Sequence, residues 1–524
     1  MAAVENEFGR LRAFVWPIHR HELSRFVPML LIFFLICFNY NILRAAKDSL
    51  VVTAPFSGAE AIPFIKVWAI LPSALLMTFL YTRFSNHLKR EHVFYAMISL
   101  FLVFFILFAF FLYPYRESLH PHALANRLEQ EWPLGCRGFI AMFRNWTCTT
   151  YYIMSEMWST IIMTVLFWGF ANEVTSIREA KRFYAVLGIG ANVAGILSGW
   201  AATTLSRLSF HVFLPFGTDA WEQSVAIMSA IVIINCVLCI LLFRFLHIKG
   251  YAASTTFHSS SQPSAEKSFR MGLRESFSYL AKSRYLICIA LIVVMYNLAL
   301  NLVEVVWKDQ VKQLHPNPSD FNAYMGQVLT AVGVVATLIA MFASANILRK
   351  FPWTFGALIT PIIVAAASIL FFSFTLFKDT ELGILASFLG TTPLLLSVFF
   401  GAMQNCLARA SKYTLFDATK EMAFIPLSRE SKLKGKAAID GVGSRLGKSG
   451  GSIIHQGLLM FLGTVSMSTP YVALILLAVI AIWVIAVRTL GKEFTELTVR
   501  HEKLHVDEPQ VTTATLQQLP QSSN

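Results

Sequence analysis

The chain has 524 residues, 56% hydrophobic and only 14% charged, with a net charge of +13 at pH 7 and a mean hydropathy of +0.59. That balance belongs to a multispanning membrane protein. The positive charge alone would suit a nucleic-acid binder, but it lies mostly beside apolar runs on one side, so no nucleic acid is expected as a partner.

Apolar stretches long enough to cross a hydrocarbon core about 30 Å thick recur from end to end. Because only helices and closed barrels satisfy their backbones in lipid, stretches of this length predict helices. The predicted spans are about 26–46, 61–82, 93–114, 150–172, 183–204, 224–246, 285–306, 324–347, 354–377, 382–404, 437–463 and 470–490. The fold class expected is therefore an all-α polytopic protein of about twelve transmembrane helices in two six-helix halves. Residues 1–25 contain Glu5 and Glu7 and no apolar segment with a cleavage site, so an N-terminal segment and not a cleaved signal is expected there.

The first span ends in NYNILRAAKDSL, residues 39–50. An ionised side chain near the bilayer centre costs roughly 2.5 to 3.5 kcal/mol on insertion scales, so such residues face a protein interior or an aqueous cavity. Arg44 and Lys47 are three apart and share a helix face, with Asp48 one turn beyond Arg44. Two cations on one face form a seat for an anion; the alternative is that both snorkel to the membrane surface. Lys66 follows AEAIPFIK at the start of the second span.

The fourth span carries Tyr152 and, one turn later on the same face, Glu156. A base could stack on the ring with the carboxylate beside it; an interfacial tyrosine is the plainer reading. Cys136 and Cys148 lie near a loop where a disulfide could form, and Asn145-Trp146-Thr147 matches a glycosylation sequon to which no role is assigned. The CxxC of Cys236 and Cys239 sits inside an apolar run without further ligands, which favours small membrane-helix residues over a metal or redox site.

A polar linker, 248–284, containing SSSQPSAEK, divides the spans six and six, and a polar tail, 491–524, is expected to lack fixed structure. The cations of Arg83 to Arg90, Arg178 to Arg182, the linker, Arg349 and Lys350, and Arg409 to Lys436 fall in alternate loops, which places both termini in the cytoplasm.

The two halves, 26–247 and 285–490, resemble each other. Tyr40-Asn41 recurs as Tyr296-Asn297, 256 positions later, and the same offset takes Asp48 to Glu304. GIGANVAGILSG from Gly188 recurs as GVGSRLGKSGGS from Gly441, 253 positions later. A duplicated six-helix unit of this kind builds the major-facilitator type of transporter, with its substrate site between the halves. At the second offset Asn192 corresponds to Arg445 and Gly195 to Lys448, so the eleventh span repeats the basic pair of the first. The glycines around Lys448 suit close helix packing. Val442 stands where a phosphate loop needs its first glycine, and no strand precedes it, which excludes a P-loop ATPase. No metal ligand set or acid/base cluster appears, and no cofactor is expected.

Arg44, Lys47, Lys66, Arg445 and Lys448 outnumber Asp48, Glu156 and Glu304, a field that complements a polyanion. Glu156 and Glu304, with Asp48 and Lys66, could instead form ion pairs that hold gates shut.

The stretches LRAAKDSLVV, SGAEAIPFIKVW, RNWTCTTYYIMSEMW, FWGFANEVTSIREAKRFYAVLGIGAN, NLVEVVWK, KYTLFDATKEMAFIPL and KGKAAIDGVGSRLGKSGG run in order through nearly the whole chain. They resemble the nucleotide transporters of intracellular bacteria and plastids, the ATP/ADP translocase family. The resemblance implies a twelve-helix carrier moving nucleotides by alternating access, commonly ATP in and ADP out, in a bacterial inner membrane. It marks Lys47, Glu156, Glu304 and Lys448 as functional. The chain reads LRAAKD where close exchangers often read LRDTKD, so Ala45 replaces an acidic residue, and IDGVGSR departs from the IDVV type. These departures keep proton-coupled import of nucleoside triphosphates open as an alternative to exchange. A membrane-embedded enzyme is a remote reading, and a monomer is expected.

Overall fold

The computed structural model describes residues 16–250, 283–344, 350–427, 431, 435–436, 438–439 and 443–506. Among the described residues ten helices are long and apolar enough to cross a membrane: α1 Arg20–Val52, α2 Ala61–His87, α3 Arg90–Leu112, α4 Trp146–Val174, α5 Arg182–Ser206, α6 Ala220–Ile248, α7 Arg284–Leu314, α8 Pro318–Phe342, α9 Trp353–Leu376 and, last of these, Val465–Thr498. A pair bent by 93°, Leu382–Phe388 and Pro393–Ala423, makes an eleventh crossing, α10. The twelfth expected span is the helix α11, Ser444–Leu462, which packs beside α7 but carries too many polar residues to qualify by composition. The last helix, α12, is longer than its apolar part and runs Val465–Val506. The tail was expected to lose structure from residue 491; the helix instead continues beyond that point, and 507–524 lie outside the described residues. Most of the linker, 251–282, also lies outside them.

The apolar outer surface explains why these sequences form long helices: Leu75, Phe79, Phe110, Leu241, Ile362, Leu474 and Ile485 are exposed, as lipid contact requires, while each backbone satisfies itself internally. Among the described residues five helices contain π-type turns, at Ile65–Ile70, Phe108–Leu112, Trp158–Phe167, Ala340–Ser344 and Lys412–Phe416. Each inserted residue rotates the following side chains by about 100° and frees carbonyls of the preceding turn. The first of these turns contains Lys66 and the third begins just after Glu156.

The duplicated halves show a matching local device. The Asn41 amide donates to the Cys37 carbonyl at 2.8 Å, and the Asn297 amide, at the same offset, donates to the Val293 carbonyl at 2.8 Å. All seven cysteines are free, so the Cys136–Cys148 bond considered above is not formed.

The halves meet at the end of the molecule that carries the loops after α1, α5 and α7. On one side α5 lies against α8 so closely that a Cβ on Gly326 would stand 2.7 Å from the Gly199 carbonyl oxygen, and one on Gly199 would stand 2.6 Å from that of Gly326. Such an approach lets the two backbones pack without side chains between them. Beside it Thr203 donates to the Ala323 carbonyl at 3.1 Å, Asn322 to the Ser206 hydroxyl at 2.7 Å, and Ser49 to the Pro318 carbonyl at 3.2 Å. On the other side Gln456 donates to the Pro63 carbonyl at 2.8 Å. Toward the opposite end the halves part. Arg445 and Lys448 are exposed at the start of α11, whereas Ser452, His455, Gln456 and Leu459, which continue the same helix face, are buried.

Candidate functional site

At mid-depth, where the halves begin to part, six charged side chains from four helices form one alternating chain. The helical register of α1 places Arg44, Lys47 and Asp48 along one face. The Lys47 ammonium lies 2.5 Å from a Glu156 oxygen on α4 and 3.6 Å from Asp48. Asp48 in turn lies 2.8 Å from Lys308 on α7, and Lys308 lies 2.8 Å from Glu304, one turn back on its own helix. Glu304 closes the chain on Lys66 of α2, at 3.0 Å. Lys66 also donates to the Asn301 side chain at 2.6 Å. On α7, Asn297, Asn301, Glu304 and Lys308 recur every three or four residues as a single polar stripe, of which Asn301, Glu304 and Lys308 contact the other half.

Burial decides what these pairs can do. Lys47, Asp48 and Lys308 are almost completely buried, while Glu156 keeps 32% of its side chain exposed. Each cation in the chain has a carboxylate partner, so the chain is close to neutral. Of the five candidate cations, Arg44, half-buried on α1, and Arg445 and Lys448, exposed on α11, have no ion-pair partner among the described residues. Lys448 is near enough to act electrostatically on Glu156.

A narrow slot lies beside this region between the halves, with Arg44, Asp48, Glu304, Asn405 and Arg409 at its polar end and Trp307, Met325, Val328, Leu329 and Val332 along its apolar wall. Arg409 stands 3.8 Å from Glu304. Arg44 of the first half and Arg409 of the second thus line the same slot, beside Asp48 and Glu304.

Tyr152 is placed differently from the stacking platform expected of it. The ring is fully buried, and the Lys47 ammonium covers it at 3.7 Å from the ring centre. It acts as a cation–π floor that positions Lys47. The aromatic surface left open near Arg44 belongs to Tyr413, which is exposed, and to half-buried Tyr40; both act electrostatically on Arg44. Asn192 is half-buried on α5, its carbonyl oxygen facing Gly333 of α8, and its side chain is outside the charge chain. The glycines of α11 serve packing: a Cβ on Gly447 would meet the Val294 carbonyl oxygen at 2.6 Å, and one on Gly451 would meet the Asn301 Cβ at 2.7 Å.

Lys308 and Arg409 were not singled out from sequence. The predicted spans ended at 306 and 404, which left both among loop cations, whereas α7 continues to Leu314 and α10 to Ala423. The signal was present in NLVEVVWK, where Glu304 and Lys308 stand at the i, i+4 spacing of a helical ion pair.

A family model described as the TLC ATP/ADP transporter matches residues 1–494. The chain belongs to this family. It is 46% identical over 500 residues to ADP,ATP carrier protein 1 of Chlamydia muridarum (strain MoPn / Nigg), covering 95% of this chain and 94% of that protein. It is 41% identical over 489 residues to the chloroplastic ADP,ATP carrier protein 1 of Arabidopsis thaliana, covering 93% of this chain and 77% of that protein. Among solved structures, the chain superposes on a bacterial homologue of the iron transporter ferroportin in an inward-facing state with a TM-score of 0.57 at 11% identity, covering 90% of this chain and 98% of the other. It superposes on a D-xylose-proton symporter with a TM-score of 0.51 at 14% identity, covering 89% and 97%. The fold of this family member is thus that of a major-facilitator-like transporter, and the chain is a multi-pass membrane protein.

Proposed function

We propose that this chain exchanges ATP for ADP across a membrane by alternating access of its two halves. The observation that carries the reading is that Arg44 of one half and Arg409 of the other line one slot, with Lys448 of the second half near enough to act electrostatically on Glu156 of the first; Arg445, exposed three residues before Lys448 on the same helix face, joins Lys448 in that role. A phosphate chain held by both sets draws the halves together on the open side. Arg can present a bidentate fork to phosphate oxygens, and Lys adds mobile point charge. Glu156 occupies Lys47 in the meantime, and because it is partly exposed it is a ligand that a phosphate can displace.

In this reading Glu156, Glu304, Asp48 and Lys66 form the gate on the closed side, and the nucleoside end meets Tyr413 and Tyr40 while Tyr152 holds Lys47 in place. Asn192 flanks the site from α5. The identity of the substrates is supported by the names of the carriers that the chain resembles across nearly its whole length. We place the chain as a monomer in a bacterial inner membrane with both termini in the cytoplasm, which makes the gap cytoplasm-facing; the asymmetry of Lys and Arg between alternate loops supports that orientation.

The test is uptake of labelled ATP into cells or proteoliposomes. Preloading with unlabelled ADP accelerates entry through an exchanger. Uptake that ignores internal ADP and collapses with a protonophore would assign the chain to proton-coupled import instead.

A further inference from the structure

The phosphate site proposed above leaves one member of the six-residue charge chain without a role. Lys308 has 1% of its side chain exposed and lies 2.8 Å from Asp48 across the interface and 2.8 Å from Glu304 within its own helix. A lysine is seldom buried without a purpose that offsets its desolvation. This lysine has one partner in each half.

Separating the halves on this side breaks two contacts of the chain, Asp48 with Lys308 and Glu304 with Lys66. The remaining pairs sort evenly. Lys47 lies between Glu156 and Asp48 and keeps both in the first half, while Lys308 retains Glu304 in the second; Lys66 gives up its ion pair with Glu304 and, with 17% of its side chain exposed, has access to solvent. Arg409, 3.8 Å from Glu304, stays on the same side as that pair. No carboxylate is stranded without a cation in its own half, so this is a connection that can be broken and remade.

We propose that Lys308 is a positioning residue that acts through Asp48 as the latch between the halves and makes reorientation conditional on a bound nucleotide. This rests on the exchange reading above. In the empty carrier, opening the latched side loses two inter-half ion pairs and gains nothing. In the loaded carrier, the phosphates bridge Arg44 and Lys47 to Arg445 and Lys448 on the other side, and that gain offsets the loss. The empty carrier is therefore slow to return, and transport proceeds by exchange. Without the latch the empty carrier returns freely, and exchange degrades into leak.

The experiment uses the full chain in proteoliposomes loaded with labelled ATP, and compares efflux with and without external ADP. The wild type is expected to release label only when ADP is outside. Lys308→Met and Asp48→Asn are each expected to raise efflux without external nucleotide severalfold and to lower the ratio of stimulated to unstimulated efflux. The double variant should be no leakier than the worse single variant, since both remove one interaction. Lys308→Arg should restore the requirement for ADP. Retained ATP-dependent thermal stabilisation in detergent certifies that each variant is folded.

Folded variants that keep the full requirement for external ADP would overturn the latch, as would a Lys308→Met protein that fails to fold while Asp48→Asn remains tightly coupled. Wild-type efflux that is indifferent to external ADP would instead overturn the exchange reading on which the latch depends.

Discussion

The Lys47 ammonium is 2.5 Å from the Glu156 carboxylate, and the lysine is buried while the glutamate is partly exposed. The cation that the first helix offers to an anion is therefore already engaged by a partner that reaches the open gap. A substrate competes for Lys47 with an internal anion, and the strength of that competition sets both affinity and turnover.

Replacing Lys47 or Lys448 by Ala removes a cation from one half or the other. Charge-assisted hydrogen bonds contribute about 1.5 to 3 kcal/mol, so each substitution is expected to slow labelled ATP uptake by one to two orders of magnitude. Uptake is to be measured at matched expression. Normal rates in both variants would remove the phosphate clamp. Lys47→Ala also leaves Glu156 without a cation and Asp48 with Lys308 alone, so it should lower the melting midpoint more than Lys448→Ala, which removes an exposed charge.

Glu156→Gln leaves Lys47 in place and weakens its internal competitor. The expected outcome is tighter nucleotide binding with slower exchange, seen as a lowered KM together with a lowered kcat. A rise in KM with unchanged kcat would show that Glu156 contacts the substrate and does not compete with it.

Exchange of ATP for ADP moves about one net charge when neither Mg²⁺ nor protons compensate it, which corresponds to roughly 2.3 kcal/mol per 100 mV. Imposing a potassium diffusion potential on proteoliposomes should bias the direction of exchange, and reversing its sign should reverse the bias. Exchange indifferent to potential would mean that a compensating ion travels with the nucleotide.

Outside the membrane-spanning segments, the His120 ring is buried against Thr147, with ring nitrogen and hydroxyl 2.7 Å apart. Burial, aided by neighbouring His122, holds its pKa down at about 4. The unfolded chain binds this proton near the ordinary histidine value of about 6.5, so stability is full above that pH and falls as pH drops from there toward 4. The melting midpoint should therefore decline from about pH 7 to pH 5, and more steeply in the wild type than in a His120→Gln variant, because the glutamine does not titrate.

Much of the architecture was legible in the sequence. Long apolar runs allow only helices in lipid, and the offsets that join Asn41 to Asn297 reappear as identical amide-to-carbonyl bonds in the two halves. The types of residue at the candidate site were also legible, because a charge in an apolar helix is conspicuous. Helix ends were not. Lys308 and Arg409 fell just beyond predicted boundaries, since hydropathy falls wherever a helix turns polar, whether it leaves the membrane or faces a buried interface.

The sequence by itself determined that this chain spans a membrane repeatedly, that its two halves are related, and that Arg44, Lys47, Glu156, Glu304, Arg445 and Lys448 lie within them. Only the tertiary structure decided how those charges are apportioned. It pairs Lys47 with Glu156 and sets it over Tyr152, joins Asp48 to Lys308 across the halves, and leaves Arg445 and Lys448 exposed on α11. The reason is physical: periodicity fixes which side chains share a face of one helix, whereas an ion pair depends on the distance between different helices, which packing of the two halves alone sets.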